Sequence, residues 1–563
     1  MEVYTTVLNY PFLKIVALPL WILLVLLLLH LDLSHWNGLM GSISHPGLGE
    51  NGTGSYLSVP SSEIVAYTQG WQRYGYNAWL AERISLFRSL PDLRDPRCEK
   101  FKYYDDPDVM KPASIVLIFR NEQLMVLLRT LHSLVVRTPS HLYVELILVN
   151  DHSDMDFWKE KLSVFLFETY VLRYIHSKAR IIHLNKKVGL IKARNFAANL
   201  AKGENLVFVD AQVEFTEGWL VPLLETISEQ SLTLATPILD KLDEQNLAYH
   251  RSEERLGIYD WSLRRREVPL TKDGRYQLPR PYGVAAVRTS VFAIRTLWFQ
   301  DLSNFDTELQ GFGGAELELS FKVWRSGGRI VQVPCSRVGH LQPTDQDYLR
   351  RYGDLYKISK KVTKNLKRIV ELWIDDPILK STIYRYQPHL INISVGDLRE
   401  SRKLYQQYDC QSFKSFINDV MPELWLMKPL NRTDFAMGNV RPLEHPQICL
   451  TVSAESKFVV LEPCKANNTL QNWTLSYLND LRVVGNICAE VQSNLQLGYN
   501  FCHNLGGRQS LHFDEVTNQL VSNTKCLEFG SKVNIFMGFC NAKNKKQKWI
   551  LDNINLSVMQ NGT

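Results

Sequence analysis

The sequence predicts an α/β domain with a parallel sheet, then an all-β domain with internal threefold symmetry, both behind an apolar N-terminal segment. Three observations predict this. From residue 114 onward, short apolar runs that end in polar or acidic residues alternate with stretches of helical period. In the last quarter of the chain, cysteines and glutamines recur at a fixed interval. Lys14 is followed by seventeen residues, 15–31, that are apolar apart from one proline and one histidine.

The N-terminal run, IVALPLWILLVLLLLHL, is slightly shorter than the roughly 20 residues that usually span a bilayer. It is longer than the apolar core of most cleaved signal peptides, and no clear small-x-small cleavage site comes after it. The expectation is a signal-anchor transmembrane helix over residues 15–33, behind a cytoplasmic tail of residues 1–14. Seven Asn-x-Ser/Thr sequons, at Asn51, Asn392, Asn431, Asn467, Asn472, Asn555 and Asn561, and nine cysteines agree on an oxidising, lumenal compartment for the rest of the chain. Residues 34–66 are rich in Gly, Ser and Pro and read as a lumenal stem, with order beginning near Tyr67. A net charge of +6 over 563 residues, with no dominant basic patch, excludes a nucleic-acid partner as an expectation.

Strands are expected at residues 114–119, 144–149, 180–184 and 206–209, with helices at 122–136, 154–170, 190–201 and 218–227. This rhythm implies a parallel sheet covered by helices on both faces. Ligands of such sheets bind beyond the carboxyl ends of the strands. Asp151 and Asp210 both stand at such ends, on the rim of one nucleotide cleft.

Beyond residue 422 the rhythm gives way to a repeat. Cys449 pairs by spacing with Cys464, Cys488 with Cys502 and Cys526 with Cys540, while Gln471, Gln509 and Gln547 recur every 38 residues. The first and third stand in Gln-x-Trp, and the middle copy reads Gln509-Ser-Leu511. Each copy is too small to bury a core alone, so three must close together as a β-trefoil.

The residues from about Tyr67 to the end resemble the polypeptide N-acetylgalactosaminyltransferases. The resemblance is carried by Arg83-Ile-Ser-Leu-Phe-Arg-Ser-Leu-Pro-Asp-Leu-Arg94, Ile118-Phe-Arg-Asn-Glu122, Leu128-Arg-Thr130, Ile147-Leu-Val-Asn-Asp151, Gly189-Leu190 and Gly218-Trp219. Further along it is carried by Gly313-Gly314, Leu317-Glu318, Val323-Trp324 and Pro334-Cys-Ser-Arg-Val-Gly-His340, with the trefoil completing the match. It implies a Rossmann-like GT-A-type glycosyltransferase domain over 67–422, a linker over 423–445 and a ricin B-type lectin domain over 446–560. It also implies a single-pass type II Golgi protein. The family moves GalNAc from UDP-GalNAc to Ser or Thr of a polypeptide or glycopeptide with retention, using Mn²⁺ held by an Asp-x-His pair and a later His. The cation neutralises charge on the departing UDP.

Carried over by position, Asp210 and His340 match the first and third metal ligands, and Gln212 stands where the family has His. An amide oxygen is a weaker Mn²⁺ ligand than imidazole, so Gln212 is expected either to hydrogen-bond only or to survive as a weak ligand. Asp151 and Lys187 match uridine- and diphosphate-side contacts, with Lys187 in place of an Arg, Asn150 in place of an Asp and Ile118 in place of a Thr. The family's Trp-Gly-Gly-Glu-Asn reads Phe312-Gly-Gly-Ala315-Glu316, so Glu316 is the weak remaining candidate for the lost sugar carboxylate. In the loop after His340 an Arg falls at Pro343, Asp345 and Asp347 would repel phosphate, and Tyr348 is the remaining UDP contact. The family's pairings imply a Cys98–Cys335 disulfide, and Ser326 replaces the partner of Cys410, leaving Cys410 the odd thiol. In the lectin domain the second copy, with Glu490, His503, Arg508 and Gln509, is the candidate sugar pocket, and a purely structural trefoil stays open. Together the departures imply an impaired or absent transferase. An active Mn²⁺-dependent retaining enzyme is the alternative.

Overall fold

Strand β1 (Ala113–Phe119) is apolar at six of seven positions and buried at all seven. It runs parallel to β2 (Tyr143–Asn150) on one side and to β4 (Asn205–Val209) on the other, and β3 (Ala179–His183) extends the parallel set beyond β2. Side chains alternate across a strand. Val116, Ile118, Leu206 and Phe208 therefore enter the core on one face, while Ile115, Leu117, Val207 and Val209 enter the core on the other. Burial on both faces is why these strands read as continuous apolar runs. Helices Leu124–Val136, Leu190–Leu200 and Val221–Glu229 supply the coverings, each close to its expected span. The helix expected over 154–170 is seen from Val164 to Tyr170 and continues as a π-helical turn, Val171–Ile175.

This arrangement is that of a computed structural model, which describes residues 47–100, 110–154, 164–310, 313–341, 355–387, 390–391, 393–408, 410–426, 434–453, 458–466, 468–483, 487–502, 506–530 and 534–555. The expected anchor, residues 15–33, lies outside the described residues. Among the described residues no helix is long and apolar enough to cross a membrane.

The sheet is completed by β5 (Val213–Phe215), β6 (Thr233–Leu242), β7 (Tyr249–His250), β10 (Tyr282–Gly283), β11 (Val291–Arg295) and β12 (Arg329–His340), with the hairpin β8 (Arg255–Tyr259) and β9 (Arg265–Pro269) outside it. Its order is β10-β12-β6-β11-β4-β1-β2-β3. The four strands expected from the βα rhythm are parallel, and the complete sheet is mixed, because β11 runs antiparallel to both β4 and β6. The reversal places the loop before β11 beside the carboxyl end of β4, where Asp210 N donates to Ser290 O at 2.8 Å. The pairing of β5 with the end of β12 sets Val213 opposite His340.

Residues 47–66, expected as stem, lie against this domain. Gly52 N donates to Ser89 O at 3.1 Å and Ser55 N to Asn246 O at 2.9 Å. Gly52 has φ 65°, and a Cβ there would sit 2.7 Å from Tyr249 Cβ and 2.8 Å from Pro91 Cδ, so only glycine allows this approach. At the other end, Leu424 packs into the α/β core and Trp425 lies against Trp261, so the domain continues past 422.

The C-terminal domain is a trefoil. Val459–Pro463, Leu497–Phe501 and Ile535–Phe539, equivalent strands 38 residues apart, touch one another at its centre. Residues 436–442, expected as linker, belong to it: Ala436–Gly438 pairs with Trp473–Leu475, and Val440–Pro442 pairs with Trp549–Leu551. That second pairing joins the N-terminal part of the domain to its last strand and closes it. The Gln-x-Trp repeat has a physical role. Trp473 Nε1 donates to Leu450 O at 2.7 Å and Trp549 Nε1 to Leu527 O at 2.8 Å, while Leu511 fills the middle position with no donor to satisfy.

Four disulfides join Cys98–Cys335, Cys449–Cys464, Cys488–Cys502 and Cys526–Cys540. Cys410 forms none, and its Sγ lies 3.8 Å from Ser326 Oγ, beside a backbone bond from Gln411 N to Arg325 O. The Ser326→Cys variant is expected to close a fifth disulfide with Cys410, so that a thiol titration of the denatured protein counts no thiol where the parent gives one. Thermal unfolding should then shift by what about 2 kcal/mol of added stability implies.

Candidate functional site

Asp210 follows the last residue of β4 and faces two partners. Its Oδ1 accepts from Arg194 Nη2 at 2.9 Å, and its Oδ2 lies 3.6 Å from His340 Nε2. Arg194 projects from helix Leu190–Leu200, is buried, and also donates to Thr289 O at 2.9 Å. Thr289 N in turn donates to Glu316 Oε1 at 3.0 Å. A chain of contacts therefore runs from Asp210 through Arg194 and Thr289 to Glu316, the second residue of helix Ala315–Arg325. Burial pushes the Asp210 carboxyl up, against the downward pull of Arg194. Burial also pushes the His340 imidazole down, to about 4, with Arg288 adding to the effect and Glu316 opposing it.

Gln212 is buried, and its Nε2 donates to Glu122 Oε2 at 2.6 Å. A carboxylate only accepts, so this bond fixes the amide with nitrogen toward Glu122 and oxygen on the opposite side. The backbone oxygen of Gln212 accepts from Leu341 N at 2.9 Å, just past His340. The sequence-derived metal corners Asp210, Gln212 and His340 are thus brought to one end of the sheet.

Their donor set does not fit a protein-held Mn²⁺. One carboxylate is partly neutralised by a guanidinium and the third corner is an amide, which leaves the neutral imidazole of His340, the ligating form, as the single unaltered donor of the three. Among the described residues no group of three or more His, Cys, Asp and Glu is arranged to hold a metal ion.

On the nucleotide side, Asp151 is buried and both its oxygens are engaged. Oδ1 accepts from Val188 N at 2.7 Å and Oδ2 from Gly189 N at 2.9 Å. The carboxylate thereby pins the loop that carries Lys187 to the end of β2. Asn150 accepts from Ser153 N at 2.9 Å and contacts His183 Nδ1 at 3.0 Å. Phe312, Pro343, Asp345, Asp347 and Tyr348 lie outside the described residues.

In the lectin domain, Gln509 Nε2 donates to Glu490 Oε2 at 2.9 Å, and both residues are buried. Arg508 is exposed beside them, and His503 lies outside the described residues. The same bond recurs in the third copy, from Gln547 Nε2 to Glu528 Oε2 at 2.8 Å, and in the first, from Gln471 Nε2 to Thr451 Oγ1 at 3.0 Å. The recurrence gives these glutamines a structural role in every copy.

Residues 114–293 match the family model Glycosyl transferase family 2, and residues 436–549 match the Ricin-type beta-trefoil lectin domain. The chain is 70% identical over 508 residues to "Putative inactive polypeptide N-acetylgalactosaminyltransferase 12" of Drosophila melanogaster, covering 90% of each chain. It is 34% identical over 530 residues to "Polypeptide N-acetylgalactosaminyltransferase 8" of the same organism, covering 92% of this chain and 88% of that one. The chain belongs to the polypeptide N-acetylgalactosaminyltransferase family. A crystal structure of GalNAc-T7 with UDP, GalNAc and Mn²⁺ shares the fold with a TM-score of 0.68 at 27% identity, over 91% of this chain and 94% of that one. The α/β domain is therefore a GT-A-type glycosyltransferase domain and the trefoil a ricin-type lectin domain.

Sequence reasoning missed Arg194, Glu122 and Thr289 as parts of the cleft. Glu122 closes the Ile118–Glu122 motif that carries part of the resemblance. Arg194 is a cation on a helix whose next turn, Phe196-Ala-Ala-Asn-Leu200, carries no charge to pair with it, and a buried charge there demands a distant partner.

Two outcomes are expected. Arg194→Ala should leave Asp210 without its counter-charge and lower stability by on the order of 3 kcal/mol, read by chemical denaturation. For His340 the folded value of about 4 lies below its ordinary 6.5. Its contribution is therefore complete above about pH 6.5 and lost as pH falls toward 4, amounting to roughly 3 kcal/mol. His132, lowered to about 4 by burial, acts in the same direction. The His340 imidazole should keep the NMR signature of the neutral form at pH 5.5.

Proposed function

We propose that this chain is a Golgi type II membrane protein of the family whose transferase site is impaired or inactive, and which serves as a binder of polypeptide or glycopeptide. The observation that carries this reading is the loss of the metal corner. Gln212 replaces an imidazole and directs its nitrogen to Glu122. The sugar end supports it. Ala315 has no carboxylate, and Glu316 is engaged by the backbone N–H of Thr289. Each lost charged or metal contact removes several kcal/mol of transition-state stabilisation, and every 1.4 kcal/mol or so is tenfold in rate. The name of the 70% identical fly relative, which calls that protein inactive, agrees.

A lumenal setting is supported by four disulfides and by the exposure of the sequon residues Asn51, Asn472 and Asn555. The acceptor chemistry follows from the family: UDP-GalNAc as donor and Ser or Thr of a polypeptide as acceptor, if any transfer survives.

The test is transfer from UDP-GalNAc to a panel of Ser/Thr peptides with Mn²⁺ present. Transfer at background is expected, and transfer clearly above it would overturn the reading. Gln212→His is expected to gain Mn²⁺-dependent UDP binding without gaining transfer, because Ala315 still lacks the sugar carboxylate.

A further inference from the structure

Helix Leu124–Val136 begins beside the cleft, where Glu122 holds Gln212, and its 13 residues carry it roughly 20 Å away. At that far end a small cavity opens between Phe87 and Val136, with Arg88, Arg129, Arg137 and Glu214 in its wall. Its volume of about 30 Å³ takes about two water-sized groups, the size of a carboxylate's two oxygens. The wall sets three guanidinium groups against one carboxylate. Glu214 accepts from Arg88 Nε at 2.7 Å and Nη2 at 2.8 Å, and Arg88 Nη1 donates to Leu247 O at 2.9 Å. Arg137 donates through Nη1 to Phe215 O and through Nη2 to Arg88 O, both at 2.7 Å. Arg129 Nη2 donates to Ala81 O and Ile84 O at 2.5 and 3.0 Å, and its Nε to Ser85 O at 3.2 Å. Arg129 Nη1 is left 3.9 Å from Glu214 Oε1, the one terminal nitrogen of the three side chains with no hydrogen bond among the described residues. Arg129 is only 2% exposed, and desolvation pushes its guanidinium down to about 10, with Glu214 opposing the effect and Arg88 adding to it. Two further carboxylates act from outside the wall: Glu217, 4.0 Å from Arg137 Nε, and Glu50, which Ser89 already holds with two hydrogen bonds.

The mouth of the cavity is apolar. Phe87 is 65% exposed and Val136 67%. The Phe87 and His132 ring centroids are 4.3 Å apart, and His132 Nε2 meets Tyr170 OH at 2.7 Å. Tyr170 in turn packs on the exposed Tyr174, with centroids 5.3 Å apart. An apolar rim this broad around a cavity this small suits a ligand that carries its anion on an apolar body.

We propose that this cavity binds a side-chain carboxylate of a partner polypeptide, with apolar residues of the partner laid against Phe87, Val136 and Tyr174. A carboxylate in the cavity takes the open Arg129 donor in a charge-assisted bond and offsets the burial of the guanidinium cluster. The apolar neighbours of that carboxylate in a polypeptide cover the rim, which a free small carboxylate leaves bare. The site goes beyond the reading of the cleft and does not depend on it.

The experiment exposes the labelled full-length chain, in mild detergent with EDTA, to an array of capped peptides with a central Glu between varied apolar residues. A matched array carries Gln in its place. The Glu peptides are expected to retain about tenfold more protein than the Gln peptides. Arg129→Met removes the open donor but also three backbone bonds, so two variants at exposed positions carry the test. Val136→Glu sets a like charge at the mouth and Phe87→Ser strips the rim. Each, confirmed as folded by circular dichroism, is expected to lower retention by the Glu peptides about tenfold. Equal retention by Glu and Gln peptides, no retention by either, or folded variants that bind like the parent would each overturn the proposal. The array is read without UDP-GalNAc, so transfer above background in the separate assay would overturn the inactive reading and leave this binding result to stand or fall by itself.

Discussion

The ion pair between Arg194 and Asp210 organises the cleft. A carboxylate at the end of a buried strand must be compensated, and Arg194 does this from the neighbouring helix at 2.9 Å. The same guanidinium holds Thr289 O, and Thr289 holds Glu316. One buried cation thus ties the end of β4, the loop before β11 and the start of helix Ala315–Arg325 into a single unit. The antiparallel placement of β11 makes this possible, since it brings residues 289–290 to the carboxyl end of a strand that precedes them by some 80 positions.

Arg194 is shared, since its charge acts on Glu316 as well as on Asp210, and Glu122 sets a further carboxylate near Asp210. The Gln212 amide completes a hydrogen bond with the Glu122 carboxylate and adds no charge to the corner. On the opposite side Asp151 is committed to two backbone amides, and Arg120 Nε is buried without an acceptor.

The lectin domain solves a related problem three times. Each copy needs a polar group that crosses its small disulfide loop, and the glutamine supplies it to Thr451, Glu490 and Glu528 in turn. The tryptophans of the first and third copies add an indole bond to a strand carbonyl, and Leu511 keeps the packing in the second without it. The acidic side chains at Glu490 and Glu528 are therefore explained in the first instance by the fold.

Strands β1 to β4, their order of appearance, the threefold repeat and the disulfide pairs of the trefoil can all be read from the residues, because each is written in local period or fixed spacing. Burial on both faces leaves an apolar run, and a repeated unit leaves a repeated motif. The direction of β11, the closure of the trefoil through residues 440–442 and 549–551, and the orientation of Gln212 emerge only in the folded molecule. These depend on partners far away in the chain: Gln212 and Glu122 are 90 residues apart, and Arg441 and Asp552, which bond across the trefoil closure, are 111 apart. No local pattern records such pairings, since they arise only when the sheet has brought its strand ends together and buried charge has to find its complement.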